Sequence, residues 1–314
     1  MSKVTVVGAG VIGLSVAHEL ATAGHQVRIL AAEDALSSVS AVAAAIWFPH
    51  DVNRSGPVID SARVTYQRLE QLARDPGTGV RMRAGTVLTR KPDPDTSWTR
   101  AVPQHAPATS APAGAAGVRC TVPLVLTDVY LDWLRASVLA LGVRVRTAEV
   151  SSIPEVLAME EPDALVVAAG LRSGALLGDD EAVYPIRGQV VRLANPGLTE
   201  WIIDNDNPEG LTYVVPRAND VVCGGTGEAG SWDLDVDPAV ESAILKRVEG
   251  LVPALAGQAV ISRAVGLRPA RSDVRVEAVE GFSRPVYACY GHGGAGYTLS
   301  WGDAARIAAL IGPA

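Results

Sequence analysis

Two hydrophobic periods take turns along this chain. Val4–Val7 is a short β-branched run that enters Gly8-Ala9-Gly10-Val11-Ile12-Gly13, after which apolar positions from Leu14 to Ala23 recur at helical spacing. Gly24 stands where a helix needs a left-handed stop, and Gln26–Leu30 reads as the next strand. Helical patterning returns between about Asp60 and Arg74. Pro92–Gly117, rich in Pro, Ala, Ser and Thr, predicts a surface loop with little regular structure. Thr127-Asp128 offers an N-cap for a helix through Leu141; Gly142 stops it, and Val143–Val145 alternates as a strand. Ala164–Ala168 is wholly apolar and ends in Ala169-Gly170, the pattern of a buried parallel strand with a ligand at its carboxyl end.

From Arg187 to about Gly225 the pattern changes to alternation (Gln189–Leu193, Leu211–Val215, Val221–Cys223), with turn residues at Pro196, Pro208 and Asn219-Asp220. That predicts an antiparallel sheet. The chain closes with a glycine-rich run, Gly291–Gly296, and an amphipathic helix from Thr298 to about Leu310. No internal repeat is present. The order predicts an α/β protein of two interleaved domains. Residues 1–50, 135–183 and 255–314 would form a Rossmann-like dinucleotide-binding domain, and 51–134 with 184–254 an antiparallel α+β substrate domain.

Composition narrows the class. The 314 residues are 48% hydrophobic and 19% charged, an ordinary globular balance that excludes collagen, coiled coil, disorder and a small disulfide scaffold. Thirty-four acidic against 27 basic residues give a net charge of −7, which argues against a nucleic-acid binder. No apolar run approaches the roughly 18 to 20 residues of a membrane span. Cys120, Cys223 and Cys289 lack CxxC spacing, so neither a metal site nor a redox dithiol is indicated; reduced buried thiols are expected, with a Cys223–Cys289 bridge left open. The final residues, Leu310–Ala314, carry no targeting or lipidation signal, and a cytoplasmic location is the expectation.

Two glycine loops carry the chemistry. In the first, Gly8 permits a tight turn, Gly10 lets a pyrophosphate approach the backbone, and Gly13 lets helix and strand pack closely. The helix N-terminus then faces the phosphates with unpaired N–H groups and its positive dipole end. Glu33, twenty residues beyond Gly13, supplies the acid for the ribose hydroxyls. This loop does not choose between NAD and FAD. The second, Tyr290–Ser300, sets four glycines before a late helix. A nicotinamide domain has no need of it, whereas a helix N-terminus beside a flavin stabilises the negative charge of the reduced ring. Arg268, fixed before Pro269, suits bidentate recognition of a carboxylate, although alone it reads rather as a surface ion pair. Tyr213 alone reads as a half-buried sheet tyrosine.

Taken together, Gly8–Ser15, Val42–Pro49, Tyr184–Gln189, Tyr213–Arg217, Gly266–Arg271 and Tyr290–Gly302 resemble the D-amino-acid oxidase family of FAD-dependent amine oxidases, in the family's order and over nearly the whole chain. The resemblance implies that Arg268 pairs with a substrate carboxylate, that the Tyr213 hydroxyl joins it, and that the Gly294 carbonyl accepts from the substrate amine. It implies that Gly8, Ala9, Gly10, Val11, Ile12, Gly13, Glu33, Ser38, Val150 and the backbone around Gly293, Gly294, Gly296, Tyr297 and Thr298 hold FAD. Ala45, Ile46 and Arg268 would lie along the flavin, and Ile46, Phe48 and Val215 would wall an apolar side-chain pocket. Two departures stand out. Glu209 occupies the position of a second tyrosine carried by animal members, within a connection too short for their lid. Ala32 stands where an acid is usual, with Glu33 next to it.

The activity implied is oxidation of neutral or apolar D-amino acids. Hydride passes from Cα to flavin N5, water hydrolyses the imino acid to a 2-oxo acid and ammonia, and dioxygen reoxidises the flavin to give hydrogen peroxide. No catalytic acid or base is assigned; His292 reads as structural, and Arg217 as an exposed strand-end arginine rather than a second anion site. The alternatives are a glycine- or sarcosine-type FAD amine oxidase, a D-aspartate oxidase, an NAD-dependent dehydrogenase, and a non-catalytic FAD-binding protein. The expected partners are a small D-amino acid and dioxygen, without nucleic acid or membrane; a homodimer is left open.

Overall fold

The computed structural model describes residues 1–50, 52–178 and 180–314; Asp51, where the expected substrate domain begins, and Asp179 lie outside them. In strand β1 (Lys3–Val7), Val4 and Val6 have no exposed surface, as expected of a central parallel strand covered on both faces. Helix α1 (Val11–Thr22) starts directly behind it because two glycines allow the approach. Gly8 has φ +116°, and a Cβ on Gly13 would lie 2.0 Å from the Gly8 carbonyl oxygen. Gly24 (φ +91°) turns the chain out of α1, and β2 (Gln26–Ala31) returns parallel to β1 with Ile29 opposite Val6.

A single turn α2 (Val39–Val42) and helix α3 (Gly56–Leu72) precede β3 (Val80–Thr89), β4 (His105–Pro107) and β5 (Ala116–Val125). The 92–117 span is not the featureless loop its composition predicts. A 3-10 turn at Ser97–Ala101 buries Trp98, Ala101 and Val102, and β4 pairs with β5. The Trp98 ring meets Phe48 edge-on at 5.3 Å, and burial of that indole outweighs the polar neighbours. Next come α4 (Thr127–Ala140), β6 (Arg144–Thr147), α5 (Ile153–Glu160), β7 (Ala164–Val167) and α6 (Ser173–Leu176). The expected α4 cap does not form. Leu126 holds the N-cap position, and Thr127 donates its hydroxyl to the Ala41 carbonyl at 3.0 Å.

The last third supplies β8 (Tyr184–Ala194), β9 (Trp201–Asp204), β10 (Thr212–Pro216), β11 (Asp220–Gly224), β12 (Glu228–Ala229), α7 (Pro238–Leu251), β13 (Val260–Val279), β14 (Val286–His292) and α8 (Gly296–Ile311). Among the described residues the strands join one mixed sheet, ordered β4-β5-β3-β9-β10-β11-β8-β13-β14-β7-β1-β2-β6, with β12 added on β8. From β14 to β6 the pairings are parallel; from β13 to β9 they are antiparallel. The 20-residue β13 belongs to both halves, pairing with β14 on one side and β8 on the other. Helix α7 covers one face of the antiparallel half through Ile244 and Val248, packed with Val191, Val214 and Cys223. All three cysteines are free and buried, so the Cys223–Cys289 bridge does not exist. No helix of the described residues is long and apolar enough to cross a membrane.

Helix α8 lies on α1 and α3. A Cβ on Gly302 would sit 2.2 Å from the Ser61 carbonyl oxygen, and Trp301 Nε1 donates to the Tyr130 hydroxyl at 2.8 Å. The buried Asp303 carboxylate meets His292 Nε2 at 3.1 Å and accepts from Ser61 Oγ at 2.6 Å and Arg306 Nη1 at 2.9 Å. Burial opposes its charge, but His292, Ser61 and Arg306 outweigh burial and hold the carboxyl below the usual aspartate range. A carboxyl depressed in this way stabilises the fold fully above its unfolded value, about 4, and loses that contribution as pH falls through the lower folded value. Asp303→Asn is expected to cost about 3 kcal/mol at pH 7. It should also flatten the fall of the thermal midpoint below about pH 4, checked by melting wild type and variant across that range.

Candidate active site

A cavity of about 590 Å³ opens at the carboxyl ends of β1, β2 and β7 and continues across the antiparallel half of the sheet. That volume lies within the roughly 300–1,000 Å³ typical of small-molecule sites, at the place where open α/β sheets bind ligands.

At the parallel end, Gly8, Ala9, Gly10, Val11 and Ile12 line the cavity with Glu33, Ser38 and Val150. Gly10 occupies the N-cap position of α1 and offers no capping side chain, so the helix N-terminus faces the cavity. Ser40 Oγ accepts from the Val11 N–H at 3.1 Å. Asp34 is committed to a local turn, accepting from the Leu36 N–H at 3.0 Å, which leaves Glu33 as the carboxylate at this end.

At the sheet end, two side chains lie on bare backbone. The Tyr213 ring covers Gly224 and Gly225, where Cβ atoms would stand 2.2 Å from its Cζ and 2.8 Å from its Cε1. The Arg268 guanidinium covers Gly188, where a Cβ would lie 2.5 Å from Nη2, and Nη1 donates to the Thr226 carbonyl at 2.8 Å. Burial pushes the Tyr213 hydroxyl above its ordinary pKa, with the Arg268 charge and hydrogen bond acting the other way. The phenol therefore keeps its proton at neutral pH. An oxygen that accepts from Arg268 has that proton left to donate into the cavity.

Between the two ends run the 40–48 segment and the second glycine loop. The segment is fastened from behind: Ser40 carbonyl to the Tyr297 hydroxyl (2.9 Å), Ala43 carbonyl to Arg217 Nη2 (3.3 Å), and Ala45 carbonyl to the Val125 N–H (2.9 Å). Ala45 is held at φ +54°, a left-handed conformation seldom taken by a residue with a Cβ. Gly293, Gly294, Gly296 and Tyr297 bring the start of α8 to the wall, and the His50 ring lies against Gly294.

The cavity thus gathers most of the expected site residues, including Ala45, Ile46 and Phe48, but three stand apart from its lining. Val215 has no exposed surface; it packs with Leu124, Val190 and Val222 beneath the wall, and Ile203 lines the position beside Tyr213 instead. The Thr298 hydroxyl accepts from the Phe48 N–H (3.1 Å) and donates to the Phe48 carbonyl (2.9 Å), so it positions Phe48. Gly13 serves helix packing. Arg217 is not an exposed strand-end residue: it is 9% exposed, tucked under Ala43, and burial lowers its pKa. His292 is engaged with Asp303.

Sequence reasoning missed Gly188, Ser40, His50, Asn205 and the rim residues Trp232 and Leu234. The rim has a signal in Tyr184–Gln189. Arg187, 2% exposed, donates to the carbonyls of Asp233 (3.0 Å) and Asp235 (2.6 Å), and Gln189 holds Asp237 through both its amide atoms.

A family model described as FAD dependent oxidoreductase matches residues 3–310. The chain belongs to that family. A D-amino-acid oxidase of Rubrobacter xylanophilus is 40% identical over 319 residues, covering 100% of this chain and 97% of that protein. A D-amino-acid oxidase of Streptomyces coelicolor is 37% identical over 98% of this chain and 96% of its own length, and a human D-aspartate oxidase 30% identical over 99% and 94%. Among solved structures, glycine oxidase from Geobacillus kaustophilus superposes with a TM-score of 0.81 at 20% identity, over 99% of this chain and 95% of that one, a likeness of fold.

The cofactor of the family is FAD, and the residues fit it. Two helix N-termini open into one cavity, α1 through bare glycines with Glu33 nearby and α8 through Gly293–Gly296. These suit a diphosphate with its ribose at one end and the anionic edge of a reduced ring at the other. Gly13→Ala forces a Cβ against the Gly8 carbonyl and is expected to yield folded protein without bound flavin, read as the ratio of absorbance near 450 nm to that at 280 nm.

Proposed function

We propose that this protein is a D-amino-acid oxidase that uses FAD to deaminate neutral D-amino acids. The carrying observation is the pair Tyr213 and Arg268, laid side by side on glycine and facing the cavity that the start of α8 also reaches. The full-length similarity to two bacterial D-amino-acid oxidases supports the same reading. Residues 1–50, 135–183 and 255–314 are assigned to the flavin domain, and 51–134 with 184–254 to the substrate domain.

FAD would supply the redox chemistry when bound, namely acceptance of a hydride from the substrate Cα and passage of the electrons to dioxygen to give hydrogen peroxide. The chain supplies position. Arg268 takes the substrate carboxylate through the guanidinium nitrogens not committed to Thr226, a charge-assisted and directional contact. Tyr213 donates its hydroxyl to the same carboxylate, and the Gly294 carbonyl accepts from the amine. Three fixed points determine the configuration at Cα, so an L-enantiomer held by the same three points would present its hydrogen in a different direction. Water hydrolyses the imino acid to a 2-oxo acid and ammonia.

The side-chain end is lined by Ile46, Phe48 and Ile203, with His50 and the Asn205 carboxamide as its polar members. The arginines among the described lining residues are Arg268 and Arg172, and Arg172 pairs with Glu149 at 2.9 Å. A D-aspartate side chain finds no second guanidinium there, because Arg217 is held under Ala43.

In an anaerobic titration, D-alanine and D-valine are expected to bleach the flavin, D-aspartate far more slowly, and L-enantiomers not at all. Bleaching by glycine or sarcosine in preference to D-alanine would overturn the assignment. Arg268→Leu is expected to lower kcat/KM for D-alanine about 10³-fold and Tyr213→Phe about tenfold. Gly188→Ala, which displaces the guanidinium, should lower it about 10²-fold with flavin content unchanged.

A further inference from the structure

We infer that Arg247, on α7 and outside the cavity, is a positioning residue for the carboxylate grip; the inference rests on the reading of Tyr213 and Arg268 given above. Helix α7 packs on the face of the antiparallel sheet that carries Val214, whereas Tyr213 alternates to the other face. At the ends of β10 and β11 the guanidinium of Arg247 reaches two backbone carbonyls. Nη2 donates to Gly225 at 3.0 Å and Nη1 to Glu209 at 3.4 Å, with Gly210 laid against the guanidinium carbon.

These two carbonyls flank the grip. Gly225 is part of the floor under the Tyr213 ring, and its N–H bonds the Leu211 carbonyl at 3.0 Å, two residues before Tyr213. The next residue, Thr226, offers the carbonyl that orients Arg268 and takes the Gln189 N–H on its hydroxyl. Arg247 therefore ties the segment leading into Tyr213 to the segment that holds Arg268. An ordinary helix–loop ion pair does not account for it, because the Glu209 carboxylate is paired with Lys246 at 3.1 Å. Burial of Arg247 lowers its pKa, with Glu209 the opposing charge, and its Nε has no hydrogen-bond partner among the described residues. Such a group is kept for its two diverging donors, a geometry that the single ammonium of lysine cannot reproduce.

The test uses holoenzyme and propanoate, a carboxylate without an amine, followed by the change it causes in the flavin spectrum. Arg247→Met is expected to raise the propanoate Kd and the KM for D-alanine each about tenfold, with kcat within about threefold of wild type and FAD affinity unchanged. Arg247→Lys, which keeps the stem and one donor, should fall between, and it decides the matter if the methionine variant does not fold. Glu209→Ala removes the carboxylate but leaves the carbonyl and should behave as wild type. Propanoate binding that is unchanged in both arginine variants, or weakened as much by Glu209→Ala as by Arg247→Met, overturns the inference. A wild-type flavin spectrum indifferent to propanoate would instead defeat the carboxylate grip itself.

Discussion

Functional elements in this protein lie directly on peptide backbone, and they can do so only where Cβ is missing. Helix α1 starts behind β1 because Gly13 meets the Gly8 carbonyl; α8 beds on α3 at Gly302; Tyr213 and Arg268 lie on Gly224, Gly225 and Gly188. In each case a methyl group would fall within about 2 to 3 Å of another heavy atom, inside van der Waals contact. The approach fixes where the helix N-termini point and where the phenol and guanidinium sit. Catalysis by position requires that tolerance, since reacting atoms must be held close and aligned.

The same economy governs charge. Asp303, buried between α8, α3 and the end of β14, is kept ionised by three partners. Arg268 keeps donors on the Thr226 carbonyl and the Tyr213 hydroxyl and turns the remaining N–H groups of its fork to the cavity. Arg217 is buried against a carbonyl oxygen, which satisfies a donor without cancelling charge, whereas Arg187 divides its donors between the Asp233 and Asp235 carbonyls and the Glu228 carboxylate. Arg268 is oriented by groups that carry no charge of their own.

The parts legible in the sequence were local ones. The first βαβ unit and the loop from Tyr290 to Gly302 announce themselves because turn, glycine spacing and following helix are contiguous. The antiparallel block was visible as alternation, yet alternation does not say which face meets the cavity. Val215 shares the face of Tyr213 but lies too deep, and Ile203 from the neighbouring strand takes the wall. Gly188 carries no local sign of its role, because what it accommodates is a side chain 80 residues later. Trp98 was hidden by its company: a proline- and serine-rich span reads as loop until the indole finds Phe48.

Strand β13 explains why two interleaved halves act as one site. It pairs with β14, which leads into the glycine loop at the start of α8, and with β8, which carries Gly188. Arg268 stands on it between those neighbours, opposite Ile186 in the β8 register. The glycine loop before α8 and the Arg268 guanidinium are thus positioned by one continuous ladder of backbone hydrogen bonds. A sheet so joined resists relative movement of its halves, because any shear must break ladder bonds on both edges of β13. The same sheet also carries the cavity rim: the segment bearing Trp232 and Leu234 is held to β8 by Arg187 and Gln189 through backbone carbonyls and a single N–H.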